Sequence, residues 1–141
     1  MKRGSRLRRR IPARLGAVDS FCGELRGSLL CQVPQEERFG VELLLREALT
    51  NAVVHGAKQK PESHVLCEIR MVEGGIQMRI ADSGDGFDWR ARLEAKPQPL
   101  AECGRGLHIL NHYASEFRFN EKGNCLQVTR LFRQGEGHAG I

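Results

Sequence analysis

Glu47 and Asn51 stand four residues apart in the stretch Val41 to Gly56, VELLLREALTNAVVHG. On a helix that spacing stacks the two side chains on one face. A carboxylate there can take a proton, and a carboxamide oxygen can ligate a hard cation. Counted at about 100° per residue, Leu43, Leu44 and Val54 share their side, whereas Glu42, Arg46 and Thr50 fall elsewhere, so both polar groups are expected to point inward. Polar groups in a core-facing stripe are costly to desolvate unless something polar meets them. Either the pair satisfies itself and nearby backbone, or an external polar ligand fills the gap.

Two glycine segments bear on that choice. Asp82-Ser83-Gly84-Asp85-Gly86-Phe87 follows an alternating apolar run that reads as a strand. A carboxylate at a strand end can accept a hydrogen bond from an exocyclic amine, and glycines let a flat ring approach the backbone; adenine has both features. The same residues could form a plain Asp/Gly turn. A calcium loop fits poorly, because Gly84 and Leu93 occupy positions that need oxygen ligands. Cys103-Gly104-Arg105-Gly106-Leu107 then leads into a helix start, where free backbone N–H groups and the helix dipole attract phosphate and Arg105 can add charge. It is neither a P-loop nor a dinucleotide fingerprint. Together the three pieces point to a Mg-nucleotide.

The order Glu-x-x-x-Asn, Asp-x-Gly-x-Gly, Gly-x-Gly-Leu resembles the N, G1 and G2 boxes of the GHKL (Bergerat-fold) ATPases. Within that superfamily, EALTNAVVHG and the short span between the glycine boxes resemble the anti-sigma-factor serine/threonine kinases of bacterial partner switching, over about Arg10 to Phe132. The resemblance implies ATP and Mg²⁺ as cofactors. It makes Glu47 the general base, Asn51 the Mg²⁺ ligand and Asp82 the partner of the adenine amine. Gly84 and Gly86 would line the base, and Gly104, Arg105, Gly106 and Leu107 would embrace the phosphates, with 88–103 as a lid. It also implies a serine on an anti-anti-sigma protein as acceptor, a sigma factor as the competing partner, and a homodimer. Phosphoryl transfer needs mainly positioning and charge neutralisation, so a base one turn from a metal ligand is chemically apt.

Other functions compete with this reading. An ATP-gated module could sequester a protein without transferring phosphate. A bare ATPase would be expected to carry a transducer domain, and a complete sensor histidine kinase a phosphorylatable-histidine helix pair. A nucleic-acid binder would work through the arginine-rich start. Of 22 Lys and Arg, Lys2, Arg3, Arg6, Arg8, Arg9, Arg10 and Arg14 lie in the first fourteen residues; the other 15 face 17 Asp and Glu, leaving the body at −2 out of a total of +5. On this count the basicity belongs to one end as a solvated arm, and direct nucleic-acid binding is not expected. No apolar run reaches membrane-span length and no secretory signal follows the arginines, so a cytoplasmic protein without membrane contact is expected. The five cysteines lack CxxC spacing and read as small apolar side chains.

The elements that must position these groups can be read in order. Ser5–Pro12 suits an edge strand, Ala17–Leu30 an amphipathic helix, and Gln35–His55 a longer helix capped by Gly56. His64–Val72 and Ile76–Asp82 alternate as a hairpin around Glu73-Gly74-Gly75. A helix is expected from Gly104 to about Ser115, then a hairpin of Phe117–Asn120 with Cys125–Phe132. The fold expected is α+β, a two-layer sandwich with a mostly antiparallel sheet and helices on one face. Residues 1–10 form an arm or edge strand, 11–133 the domain and 134–141 a flexible tail. His108 and His112, four apart, read as surface or packing histidines rather than a zinc pair. His55 has a packing or capping role unless it reaches the phosphates, and Trp89 packs the lid.

Overall fold

A computed structural model describes residues 5–56, 62–82, 109–121 and 124–133. Strand β1 (Arg6–Pro12) leads into helix α1 (Leu15–Arg26), two 3-10 turns (Leu29–Gln32 and Gln35–Glu37), helix α2 (Arg38–Asn51) and a π turn (Ala52–Gly56). Then come β2 (His64–Val72), β3 (Gly75–Asp82), a helical segment α3 (109–113), β4 (Glu116–Phe119) and β5 (Cys125–Leu131). The strands form one antiparallel sheet in the order β1-β2-β3-β5-β4. This is the expected α+β sandwich.

Alternation fixes which face the helices cover. Val65, Cys67, Ile69 and Met71 of β2 lie opposite Asp82, Ile80, Met78 and Ile76 of β3, and Leu126 and Val128 of β5 continue the rows. These apolar side chains are buried beneath Val18, Phe21, Cys22 and Leu25 of α1, Leu44, Leu45 and Leu49 of α2, and Leu110 of α3. Burial pushes the Cys67 thiol up to about 12, so it stays protonated as an apolar packing group. Cys22 is also buried, Cys125 is half-buried and Cys31 is exposed.

Two glycines close the β2–β3 hairpin for different reasons. Gly74 has φ +71, as a two-residue hairpin turn requires. At Gly75 a Cβ would fall 2.5 Å from the Arg130 carbonyl oxygen of β5, too close for any side chain. In the second hairpin, Asn120 Oδ1 accepts from the backbone N–H groups of Asn124 (3.0 Å) and Cys125 (3.1 Å).

The helices differ from expectation at their ends. α1 stops at Arg26 because Gly27 follows it, and the chain tightens into a 3-10 turn instead of continuing to Leu30. The second helix is divided: a 3-10 turn at Gln35–Glu37, α-helix to Asn51, then the wider π turn. The phase of its buried stripe also changes. Val41, Leu44, Leu45, Ala48 and Leu49 are buried, while Leu43 and Val54 are only half-buried. Asn51 is buried as expected, at the border of the stripe, whereas Glu47 just beyond it is only half-buried.

The basic start forms the expected edge strand, but its charge is placed differently. β1 pairs with β2 along its length, and Arg6, Arg8 and Arg10 alternate with Leu7, half-buried Arg9 and buried Ile11. Arg9 turns to the helix side, gives two hydrogen bonds to Glu24 of α1 (2.9 and 2.7 Å) and lies 5.5 Å from the Phe21 ring centroid. The other three arginines join the open face. Register sets Arg6, Arg70, Gln77, Thr129 and Glu116 in one cross-strand row, and Arg8, Glu68, Arg79, Gln127 and Arg118 in the next. The basicity is thus part of a face of the fold, which corrects the reading of it as a solvated arm.

α2 is anchored at its start by a buried acid. Glu37 occupies the N-cap position yet makes no side-chain cap, because its carboxylate accepts from Arg130 Nε of β5 at 2.9 Å. Arg130 also donates to the Tyr113 carbonyl at 2.9 Å, tying α2, β5 and α3 together. Glu37→Ala should cost about 3 kcal/mol by leaving that guanidinium without its carboxylate. Glu37→Ala/Arg130→Met should recover most of the loss in urea denaturation; equal losses in the single and double variants would show that the pair does not hold the helix.

Candidate functional site

The end of α2 meets the end of β3. Asn51 is the last residue of α2 and only 6% exposed, and Asp82 is the last residue of β3, on the helix-facing side opposite Val65. Both line one small recess of about 10 Å³, open to solvent. Its walls are Ala48 and Ala52 from the helix, Ile80 from β3, and Phe119 and Leu126 from the β4–β5 hairpin. Small alanines on one side and flat apolar surface on the other make a slot with a carboxylate at its end. The Asp82 N–H donates to the Asn124 carbonyl at 2.9 Å, which fixes the strand end against the neighbouring hairpin.

Within this recess Asn51 Nδ2 is buried without a hydrogen-bond partner among the described residues. A buried unsatisfied amide donor costs about 1–3 kcal/mol, and the fold tolerates that cost where the helix opens onto the recess. The π turn directly after Asn51 widens the backbone there, a distortion that recurs at functional sites. Ala52 and Val53 of that turn are buried, so the turn is packed in place. α2 is held laterally by α1: Arg26 grips Glu42 with two hydrogen bonds (2.8 and 2.6 Å), and Arg46 pairs with Asp19. The Arg26 contact holds the Glu42 carboxyl below its usual range, with a smaller contribution from Arg46. These charges face away from the recess and leave it to Asn51 and Asp82.

Glu47 lies one turn before Asn51, half-buried on the same border. Gly84, Gly86, Gly104, Arg105, Gly106 and Leu107 lie outside the described residues, as do the lid 88–103, Trp89, His108, the tail 134–141 and the side chain of His55. His112 is exposed, its ring edge-on to Tyr113 with centroids 4.8 Å apart. The apolar walls escaped sequence reasoning, since Phe119 and Leu126 read simply as strand residues; the register that pairs them across β4–β5 is what brings them to the recess.

The described residues suit a nucleotide in their chemistry, an orphaned amide and a strand-end carboxylate among apolar side chains, in a recess that by itself holds about one water. Residues 11–130 match the histidine kinase-like ATPase domain, and the chain belongs to that family. Among its curated relatives is an anti-sigma F factor of Bacillus cytotoxicus, 28% identical over 102 residues that cover 67% of this chain and 70% of the relative. The anti-sigma F factor of Priestia megaterium is 25% identical over 128 residues, 84% of each chain. That of Bacillus subtilis is 24% identical over 128 residues, 82% of this chain and 86% of its own. Among the described residues no helix is long and apolar enough to cross a membrane.

If Asn51 is kept polar for a ligand, Asn51→Leu should separate stability from binding. The nucleotide-free protein should melt at the same or a higher temperature, since a buried unpaired donor is removed. The rise in melting temperature on adding Mg-ATP should disappear. A strongly destabilised variant, or an undiminished rise, would contradict this role.

Proposed function

We propose that this chain is a cytoplasmic ATP-dependent protein-serine/threonine kinase and anti-sigma factor of a partner-switching pathway, passing the γ-phosphate of ATP to a serine of an anti-anti-sigma protein. The observation that carries the proposal is the convergence of Asn51 and Asp82, 31 positions apart in segments that resemble the N and G1 boxes, on one recess. Names of relatives from several bacilli, all anti-sigma F factors, supply the partner class.

In this reading Asp82 accepts a hydrogen bond from the adenine amine, and Gly84 and Gly86 give the base room. Asn51 is the protein's ligand for Mg²⁺, which neutralises phosphate charge when bound. Gly104, Arg105, Gly106 and Leu107 hold the phosphates through backbone N–H groups and the guanidinium. Glu47, one turn before Asn51, takes the proton from the attacking serine hydroxyl as the γ-phosphoryl group moves to that oxygen. The reading includes a homodimer, which the family resemblance implies.

The decisive variant is Glu47→Ala, assayed with labelled ATP and an anti-anti-sigma protein from the same organism. Mg-ATP affinity should stay within a few-fold while transfer falls by about 10²-fold or more. Undiminished transfer would remove Glu47 from the base role. Partner binding without any transfer by the native chain would favour the ATP-gated sequestering module.

A further inference from the structure

The chain treats its arginines differently on the two sides of the sheet. On the helix side Arg9, Arg26, Arg46 and Arg130 each have a carboxylate from the chain itself: Glu24, Glu42, Asp19 and Glu37. Among the described residues, Arg6, Arg8, Arg10, Arg70, Arg79 and Arg118 on the open face share their cross-strand rows with only two carboxylates, Glu68 and Glu116. Glu68 is shared between Arg79 at 2.9 Å and Arg8 at 3.8 Å, and Arg70 donates to the neutral Gln77 at 2.8 Å. Arg6, Arg10 and Arg118 have neither ion pair nor side-chain hydrogen bond among the described residues. Sheet twist leaves a groove of about 350 Å³ between β1, β2 and β3, with Arg6, Arg8, Arg70 and Arg79 along it.

We infer that this open face is a docking surface for a carboxylate-rich protein partner, separate from the recess at Asn51 and Asp82. The recess lies on the opposite side of the sheet, so the inference stands whether or not a nucleotide binds there.

The chemistry selects among occupants. All six cations are arginines, whose planar forks pair with carboxylates through two parallel hydrogen bonds. A second copy of the chain would bring the same excess of positive charge against itself, and like charges set face to face oppose association. A nucleic acid would meet Glu68 in the middle of its phosphate track. Nor do the described strands offer it an aromatic platform on this face, because Phe117 and Phe119 of β4 fall on the helix-facing parity. Gln77, Gln127 and Thr129 among the arginines supply donors and acceptors of the kind a protein interface uses between its charges.

The test uses the full chain and two labelled probes, a deca-glutamate peptide and a short DNA duplex, followed by fluorescence anisotropy. The peptide should bind saturably and more tightly than the duplex. Arg70→Glu/Arg118→Glu should weaken peptide binding by about tenfold or more, and Arg70→Lys/Arg118→Lys should keep part of it, since charge is retained while the fork is lost. Arg14→Glu/Arg133→Glu makes the same change in net charge away from this face and should leave affinity within about twofold. Melting temperature and Mg-ATP binding verify that each variant is folded; if the charge reversal unfolds the chain, Arg70→Gln/Arg118→Gln is read in its place. Absence of peptide binding, equal loss in the control pair, tighter binding of the duplex, or a dimer abolished by Arg70→Glu/Arg118→Glu in sedimentation would each overturn the inference.

Discussion

The structure depends on how α2 is laid across the sheet. Leu44, Leu45, Ala48 and Leu49 press its apolar stripe onto the strands, while polar groups sit at its two ends. At the start, Glu37 is neutralised by Arg130 from β5. At the finish, about 21 Å away by helix rise, Asn51 Nδ2 has no hydrogen-bond partner among the described residues and shares the recess with Asp82. The helix thus acts as a ruler, fixed at one end by a satisfied charge and presenting an unsatisfied amide at the other. A helix held only by apolar contacts could slide or rotate by a few degrees at little cost. The ion pair removes that freedom and sets where Asn51 arrives.

This arrangement divides the molecule's charge by purpose. Between helices and strands, each of several arginines has its own carboxylate, which contributes to orientation more than to net stability. At the recess, polarity is left open toward a ligand. On the far face of the sheet, positive charge exceeds the negative charge of the described residues there. The family match spans the recess and part of the charged face, and the charge of that face is read from strand register alone.

Much of this could be read from the chain. Strict alternation in His64–Val72 and Gly75–Asp82 gave the hairpin and put Asp82 at a strand end, and the Glu47/Asn51 spacing marked the helix end that meets it. The phase of the stripe was missed because Leu43 and Val54 look as apolar as Leu45, and only packing against the sheet decides which of them is covered. Glu37 gives no local sign of burial, since its partner lies 93 positions later. The basic face was misread as an arm for the same reason. Arg70, Arg79 and Arg118 are scattered singly in sequence, and only strand register aligns them with Arg6, Arg8 and Arg10. Sequence reasoning captured periodicity and motif spacing well, and failed wherever the deciding contact was long-range.

The central claim is that the Asn51 Nδ2 donor, buried without a partner among the described residues, is completed by an acceptor of the bound nucleotide. The most direct measurement is the side-chain amide resonance of Asn51, followed by nuclear magnetic resonance as Mg-ATP is added to the labelled protein. The account predicts a large, saturating shift of that resonance, in step with the backbone amide of Asp82. A titration in which ATP binds while both signals stay in place, or in which no residue responds at all, would contradict it.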